Sequence, residues 1–136
     1  MPSAYLDASV LIPVGQAARS ERGAQRARRA GRIGREMTWV ASDLVRLECK
    51  VRPLAARDEG LLNGIERFFR SPALVCLSFP PATFDRAAGI RARHGIRTPD
   101  ALHLGAALEA GCGVFVPADR RLAAFAEIPV ALLAME

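Results

Sequence analysis

Four acidic side chains, Asp7, Glu48, Asp100 and Asp119, stand where carboxylates could do chemistry. Asp7 and Asp119 each follow a short apolar run, Ala4-Tyr5-Leu6 and Gly113-Val114-Phe115-Val116, and each precedes a helical stretch. In an open parallel sheet, ligands bind just past the carboxyl ends of the strands. An aspartate there also serves as a plain helix cap, so neither residue decides the matter alone. Asp100, in Thr98-Pro99-Asp100, falls in a first helical turn, where the dipole favours a carboxylate. Glu48 is more informative. Its neighbours at three- and four-residue spacing are Leu44, Val45 and Val51, with Leu47 beside it, so it points with the core-facing side chains of its helix. An unpaired charge there is costly, and Glu48 needs a cation, either an arginine or a metal. Acids from four elements meeting at one sheet edge repel one another unless a counter-ion joins them. Mg2+ suits that task, since it takes oxygen ligands and binds through carboxylates together with substrate phosphate. It also activates a water for attack on phosphorus, so such a cluster beside an arginine patch reads as phosphodiester hydrolysis, which spacing alone does not prove.

These acids need elements to position them. Ala4 to Leu6, Thr38 to Ala41, Ala73 to Leu77 and Gly113 to Val116 read as short buried strands, and Val130 to Leu132 would add a fifth. Between them fall helices: Ala8 to Val14 as a short helix or turn, a basic stretch over 17–35, and Asp43 to Lys50 capped by Ser42. A further helix begins at Pro53 and runs to about Arg70. Next come Thr83 to His94, closed by Gly95, then a helix with Thr98 as N-cap and Pro99 as its first residue, then Asp119 to Ala126. Strands alternating with helices imply one α/β domain over residues 1–136, with a central, mostly parallel twisted sheet of four to five strands between two helical layers.

The chain has 136 residues, with 51% apolar and 24% charged side chains, an ordinary globular composition. Disorder and coiled coil are excluded as its main description. No apolar stretch is long enough to span a bilayer, and no signal peptide precedes the first strand. Three cysteines, Cys49, Cys76 and Cys112, without a Cys-x-x-Cys pair fit free thiols in the cytoplasm. The formal charge is +5, and it is concentrated. Residues 19–35 carry Arg19, Arg22, Arg26, Arg28, Arg29, Arg32 and Arg35 against Glu21 alone, which makes that segment +6 and the rest about −1. Such a patch attracts polyanions, and arginine suits bidentate phosphate contact. A solvated helix face accounts for it as well.

The same residues resemble a known family. Tyr5-Leu6-Asp7-Ala8-Ser9-Val10-Leu11, Val45-Arg46-Leu47-Glu48-Cys49, Thr98-Pro99-Asp100-Ala101-Leu102-His103-Leu104 and Phe115-Val116-Pro117-Ala118-Asp119-Arg120-Arg121 occur in the order found in PIN-domain ribonucleases, specifically VapC-type toxins of toxin–antitoxin pairs. The resemblance implies a PIN-like fold and Mg2+- or Mn2+-dependent cleavage of RNA that leaves 5′-phosphate and 3′-hydroxyl ends. It makes Asp7, Glu48 and Asp100 the main metal-binding acids and Asp119 a fourth acidic position. Ser9 matches a small hydroxyl residue that supports the site, and Thr98 belongs to the same motif as Asp100. It further implies a homodimer silenced by a cognate antitoxin. One departure is Pro117, where the family often has Thr or Ser two residues before the fourth acid.

Other residues carry weaker signals. His103 lies one helical turn after Asp100 and could face the site, but a histidine on an apolar helix is more often packed or solvent-tipped. His94 beside Gly95 is a favourable cation at a helix end. Arg120 and Arg121 either contact RNA phosphate or pair with Asp119, and Arg19, Arg22, Arg26 and Arg29 would dock the RNA backbone. No phosphate-binding glycine loop and no Gly-x-Ser-x-Gly elbow is present. Two rivals to a nuclease remain: a non-catalytic nucleic-acid-binding or interaction module using the Arg19–Arg35 segment, and a hydrolase of small phosphate esters.

Overall fold

The computed structural model of the chain describes residues 3–7, 38–116 and 122. Strand β1 (Ser3–Leu6) is central. Ala4, Tyr5 and Leu6 are all fully buried, the pattern of a parallel strand covered on both faces. β2 (Thr38–Ser42) pairs with it in parallel, Tyr5 opposite Val40, and β3 (Leu74–Leu77) pairs in parallel with β2. β4 (Val114–Val116) pairs in parallel with the other side of β1, placing Tyr5 opposite Phe115 and Leu6 opposite Val116. The sheet order is therefore β3-β2-β1-β4.

Helices α1 (Asp43–Ala55) and α2 (Glu59–Phe69) join β2 to β3, and α3 (Pro81–His94) and α4 (Thr98–Glu109) join β3 to β4. The first connection moves outward along the sheet and the second moves back across it. Right-handed crossovers therefore set the two helix pairs on opposite faces, giving the expected α/β/α layering. The direction of chain progression reverses at β1, which leaves a crevice at the carboxyl ends of β1 and β4.

Local chemistry explains the element ends. Ser42 caps α1 by accepting from the Val45 N–H at 3.2 Å, and Asp58 caps α2 by accepting from Leu61 at 3.1 Å. Gly95 closes α3 at φ +66°, as expected for a left-handed C-terminal residue. Helices α3 and α4 pack so closely that a Cβ on Gly105 would lie 3.2 Å from the Thr83 carbonyl oxygen and 3.4 Å from the Ala87 nitrogen.

Two helix boundaries differ from expectation. Pro53 does not open a helix; it lies inside α1. It falls in the last turn, where the missing N–H interrupts a ladder that is already ending. Arg97, not Thr98, caps α4, with no side-chain bond, and Thr98 is the first helical residue. The Thr98 hydroxyl instead accepts from the Arg91 guanidinium at 2.8 Å and braces the α3–α4 turn. The expected elements over Ala8–Val14, 17–35, Asp119–Ala126 and Val130–Leu132 lie outside the described residues, Leu122 excepted. So do Ser9, Arg19, Arg22, Arg26, Arg29, Pro117, Asp119, Arg120 and Arg121.

Candidate metal centre

Asp7 immediately follows β1, and its N–H donates to the Val116 carbonyl at 3.0 Å, extending the β1–β4 ladder by one bond. That bond fixes the aspartate at the mouth of the crevice. The residue is only 4% exposed. Glu48 approaches from α1, whose buried line is Val45, Cys49 and Pro53. The expected stripe is corrected here: Leu47 and Val51 are exposed, and Glu48 flanks the Val45–Cys49–Pro53 line instead of sharing a face with Val51. The helix is rotated so that Cys49 is buried, which leaves the Glu48 carboxylate at the crevice rim, its side chain 31% exposed.

Among the described residues the partner of Glu48 is neither an arginine nor Asp100 but His103. The His103 Nε2 lies 2.5 Å from Glu48 Oε1 and 3.5 Å from Asp7 Oδ1. One ligand atom from each of Asp7, Glu48 and His103 falls within 4.8 Å of the other two. His103 is fully buried, as are its helical neighbours Ala101, Leu104, Ala106 and Ala107, so α4 runs through the core on most of its circumference. A histidine in such a helix needs polar partners on both ring nitrogens. The sequence signal was this all-round apolar setting, together with the three-residue step from Asp100 that puts both side chains on one helix face.

The second nitrogen of His103 is held too. Nδ1 lies 2.8 Å from the Tyr5 hydroxyl, which lies 2.8 Å from Ser42 Oγ. The Tyr5 ring is stacked on Phe115 of β4, centroids 5.5 Å apart. No buried side-chain nitrogen or oxygen among the described residues lacks a hydrogen-bond partner.

The carboxylates mark their surroundings. Burial, above all, pushes the Tyr5 phenol well up from its ordinary value; the Ser42 hydrogen bond pulls it down, and the charges of Asp7 and Glu48 add to the rise. The Cys49 thiol is pushed up to about 12, again by burial first and then by Glu48 and Asp7. Both groups therefore stay protonated beside a concentrated negative charge.

Asp100 sits apart from this trio. It lies in the first turn of α4, and its carboxylate accepts from Arg97 Nη2 at 3.2 Å and Nε at 3.3 Å, although its side chain is only 13% exposed. The donor set of Asp7 and Glu48, two anionic oxygens with a buried nitrogen beside them, fits a divalent cation.

Comparison with known proteins agrees with this architecture. The PIN domain family profile matches residues 4–128. The chain belongs to the PIN-domain family. Its fold is that of VapC toxins: VapBC2 from Rickettsia felis, solved with a promoter DNA fragment, superposes with a TM-score of 0.77 at 11% identity, covering 96% of this chain and 98% of that one. A toxin–antitoxin complex from Klebsiella pneumoniae gives 0.66 at 16% identity, with 96% and 97% covered. VapC20 from Mycobacterium tuberculosis, a sarcin–ricin-loop-cleaving toxin, gives 0.67 at 16% identity, with 93% and 98% covered. No curated protein sequence matches the chain. The family and fold read from the sequence are borne out.

Proposed function

We propose that this protein is a VapC-type endoribonuclease toxin that hydrolyses RNA phosphodiesters with Mg2+ or Mn2+ and is neutralised by a cognate antitoxin. The observation that carries the reading is the convergence of Asp7 and Glu48, from separate elements, at the carboxyl end of the central strand. A bound divalent ion would supply Lewis acidity toward phosphate oxygens and a readily ionised water. The chain's own residues do the rest. Asp7, anchored through its N–H to Val116, and Glu48, anchored by α1, present oxygens to the ion. Asp100 and Asp119 complete the acidic set, Asp100 by exchanging Arg97 for the ion or the substrate. Ser9 and Thr98 support the site. Arg19, Arg22, Arg26, Arg29, Arg120 and Arg121 dock RNA phosphates, which gives binding a steep salt dependence.

The RNA-cleaving neighbour supports the substrate class, and the two neighbours solved as toxin–antitoxin assemblies support an antitoxin partner. A homodimer and a cytoplasmic location belong to the same reading. The test is cleavage of a structured RNA by wild type, Asp7→Asn and Glu48→Gln, with and without chelator. Loss of cleavage in both variants and in chelator is expected. Undiminished cleavage in any of the three overturns the nuclease reading, and salt-sensitive RNA binding without turnover in wild type favours the binding-module alternative.

A further inference from the structure

The buried chain Ser42–Tyr5–His103–Glu48 has a direction that its donors and acceptors fix. A carboxylate only accepts, so the hydrogen between His103 Nε2 and Glu48 Oε1 belongs to the ring. With that hydrogen on Nε2, the neutral ring leaves Nδ1 as an acceptor. The Tyr5 hydrogen is then directed at Nδ1 of His103. Each donor in this chain has one acceptor. Moving the ring hydrogen to Nδ1 would set the bare Nε2 lone pair against the Glu48 carboxylate.

We propose that His103 is a positioning residue: Tyr5 holds its ring in the Nε2–H tautomer, and that N–H aims the Glu48 carboxylate at the cation position beside Asp7. Glu48 needs such a hold. It is a long, flexible side chain at a partly exposed rim, and without a fixed partner it must give up rotamer freedom each time an ion binds. A donor behind a ligand carboxylate removes part of that cost in advance, as outer partners of metal ligands commonly do. The assignment gives a role to Tyr5, whose hydroxyl is the link between the N-cap of α1 and the ring on α4. Both helices that face the crevice are thereby tied through the central strand. This inference rests on the metal-dependent reading above for its purpose but not for its geometry.

The experiment uses the full chain and two readouts. Long-range 1H–15N spectra of the metal-free protein report the tautomer directly. Only two histidines are present, and His94→Gln identifies the signals of His103. The Nε2–H tautomer is expected. In Tyr5→Phe, which removes one oxygen and keeps the ring, that preference is expected to weaken. The second readout is calorimetric titration with Mn2+ alone. His103→Leu, which fills the space but donates nothing, is expected to bind Mn2+ about 10- to 100-fold more weakly than wild type. His103→Gln, which keeps a donor and an acceptor, should recover much of that loss. An Nδ1–H ring in the metal-free protein overturns the proposal. So does Mn2+ binding by His103→Leu equal to wild type, or direct coordination of an added diamagnetic ion by Nε2. If His103→Leu fails to fold, Tyr5→Phe carries the same test in both readouts. Wild type that binds no divalent ion defeats the nuclease reading and leaves the tautomer to decide the hydrogen-bond assignment.

Discussion

Replacing Asp7 by Asn should make the metal-free protein more stable and the metal-loaded protein less stable than wild type. Carboxylate oxygens of Asp7 and Glu48 lie within 4.8 Å. At that separation two unit charges repel by about 3.5 kcal/mol at an effective dielectric constant of 20, and by about 0.9 kcal/mol in water. The Glu48 side chain is 31% exposed, which moves the value toward the lower half of that range, about 1–2 kcal/mol. Asn keeps an acceptor oxygen in the same place, and the contact it makes with His103 Nε2, at 3.5 Å, is too long to matter much. In chelator, then, Asp7→Asn gains about 1–2 kcal/mol, the usual price of a functional charge cluster. In Mg2+ at 100 times its dissociation constant, wild type gains about 2.7 kcal/mol from binding and the variant gains little. The order of the two proteins should invert. Urea denaturation followed by the single tryptophan, Trp39, measures both midpoints. An order that stays the same in chelator and in Mg2+ refutes a cation shared by these two carboxylates.

Two further outcomes follow from the packing. Gly105→Ala should destabilise, because its Cβ lies 3.2 Å from a backbone oxygen that cannot swing away; overpacking of about 1–3 kcal/mol outweighs a helix-propensity gain of about 1 kcal/mol, and urea midpoints show the sign. Cys49 titrates near 9 when unfolded and near 12 when folded, so the folded state holds its proton longer and stability is intact below pH 9. Stability should fall between pH 9 and 12, by up to about 1.4 kcal/mol per unit for this group, and Cys49→Ala should flatten that decline.

Strand and helix order were legible because the apolar runs are short and sharply bounded. Ala4-Tyr5-Leu6 and Val114-Phe115-Val116 end at the sheet's carboxyl edge, where ligand chemistry was expected. The fate of Pro53 was not legible, since a proline opens a helix or rides its last turn with the same local sequence. Glu48 was read as pressed among Leu44, Val45 and Val51, yet the buried line of the helix runs through Val45, Cys49 and Pro53 and leaves Val51 exposed, a rotation that no periodicity count contains. Asp100 was read as a site carboxylate, and the structure adds an ion pair with Arg97, three residues earlier, that the spacing also offered. His103 was given a packing explanation. That explanation is right about burial, but it overlooks that a fully enclosed imidazole must bond at both ends, and only the fold reveals that one end meets Glu48 and Asp7.

The neighbour of β1 on one side, β4, is made long after β1 itself. A polypeptide still emerging from the ribosome holds Asp7 and Glu48 early, but the carbonyl that pins Asp7 and the imidazole that meets Glu48 arrive only with residues 116 and 103. Synthesis thus delays assembly of the carboxylate pair until residue 116 has been made, so a product truncated before it lacks the geometry that holds the two acids together.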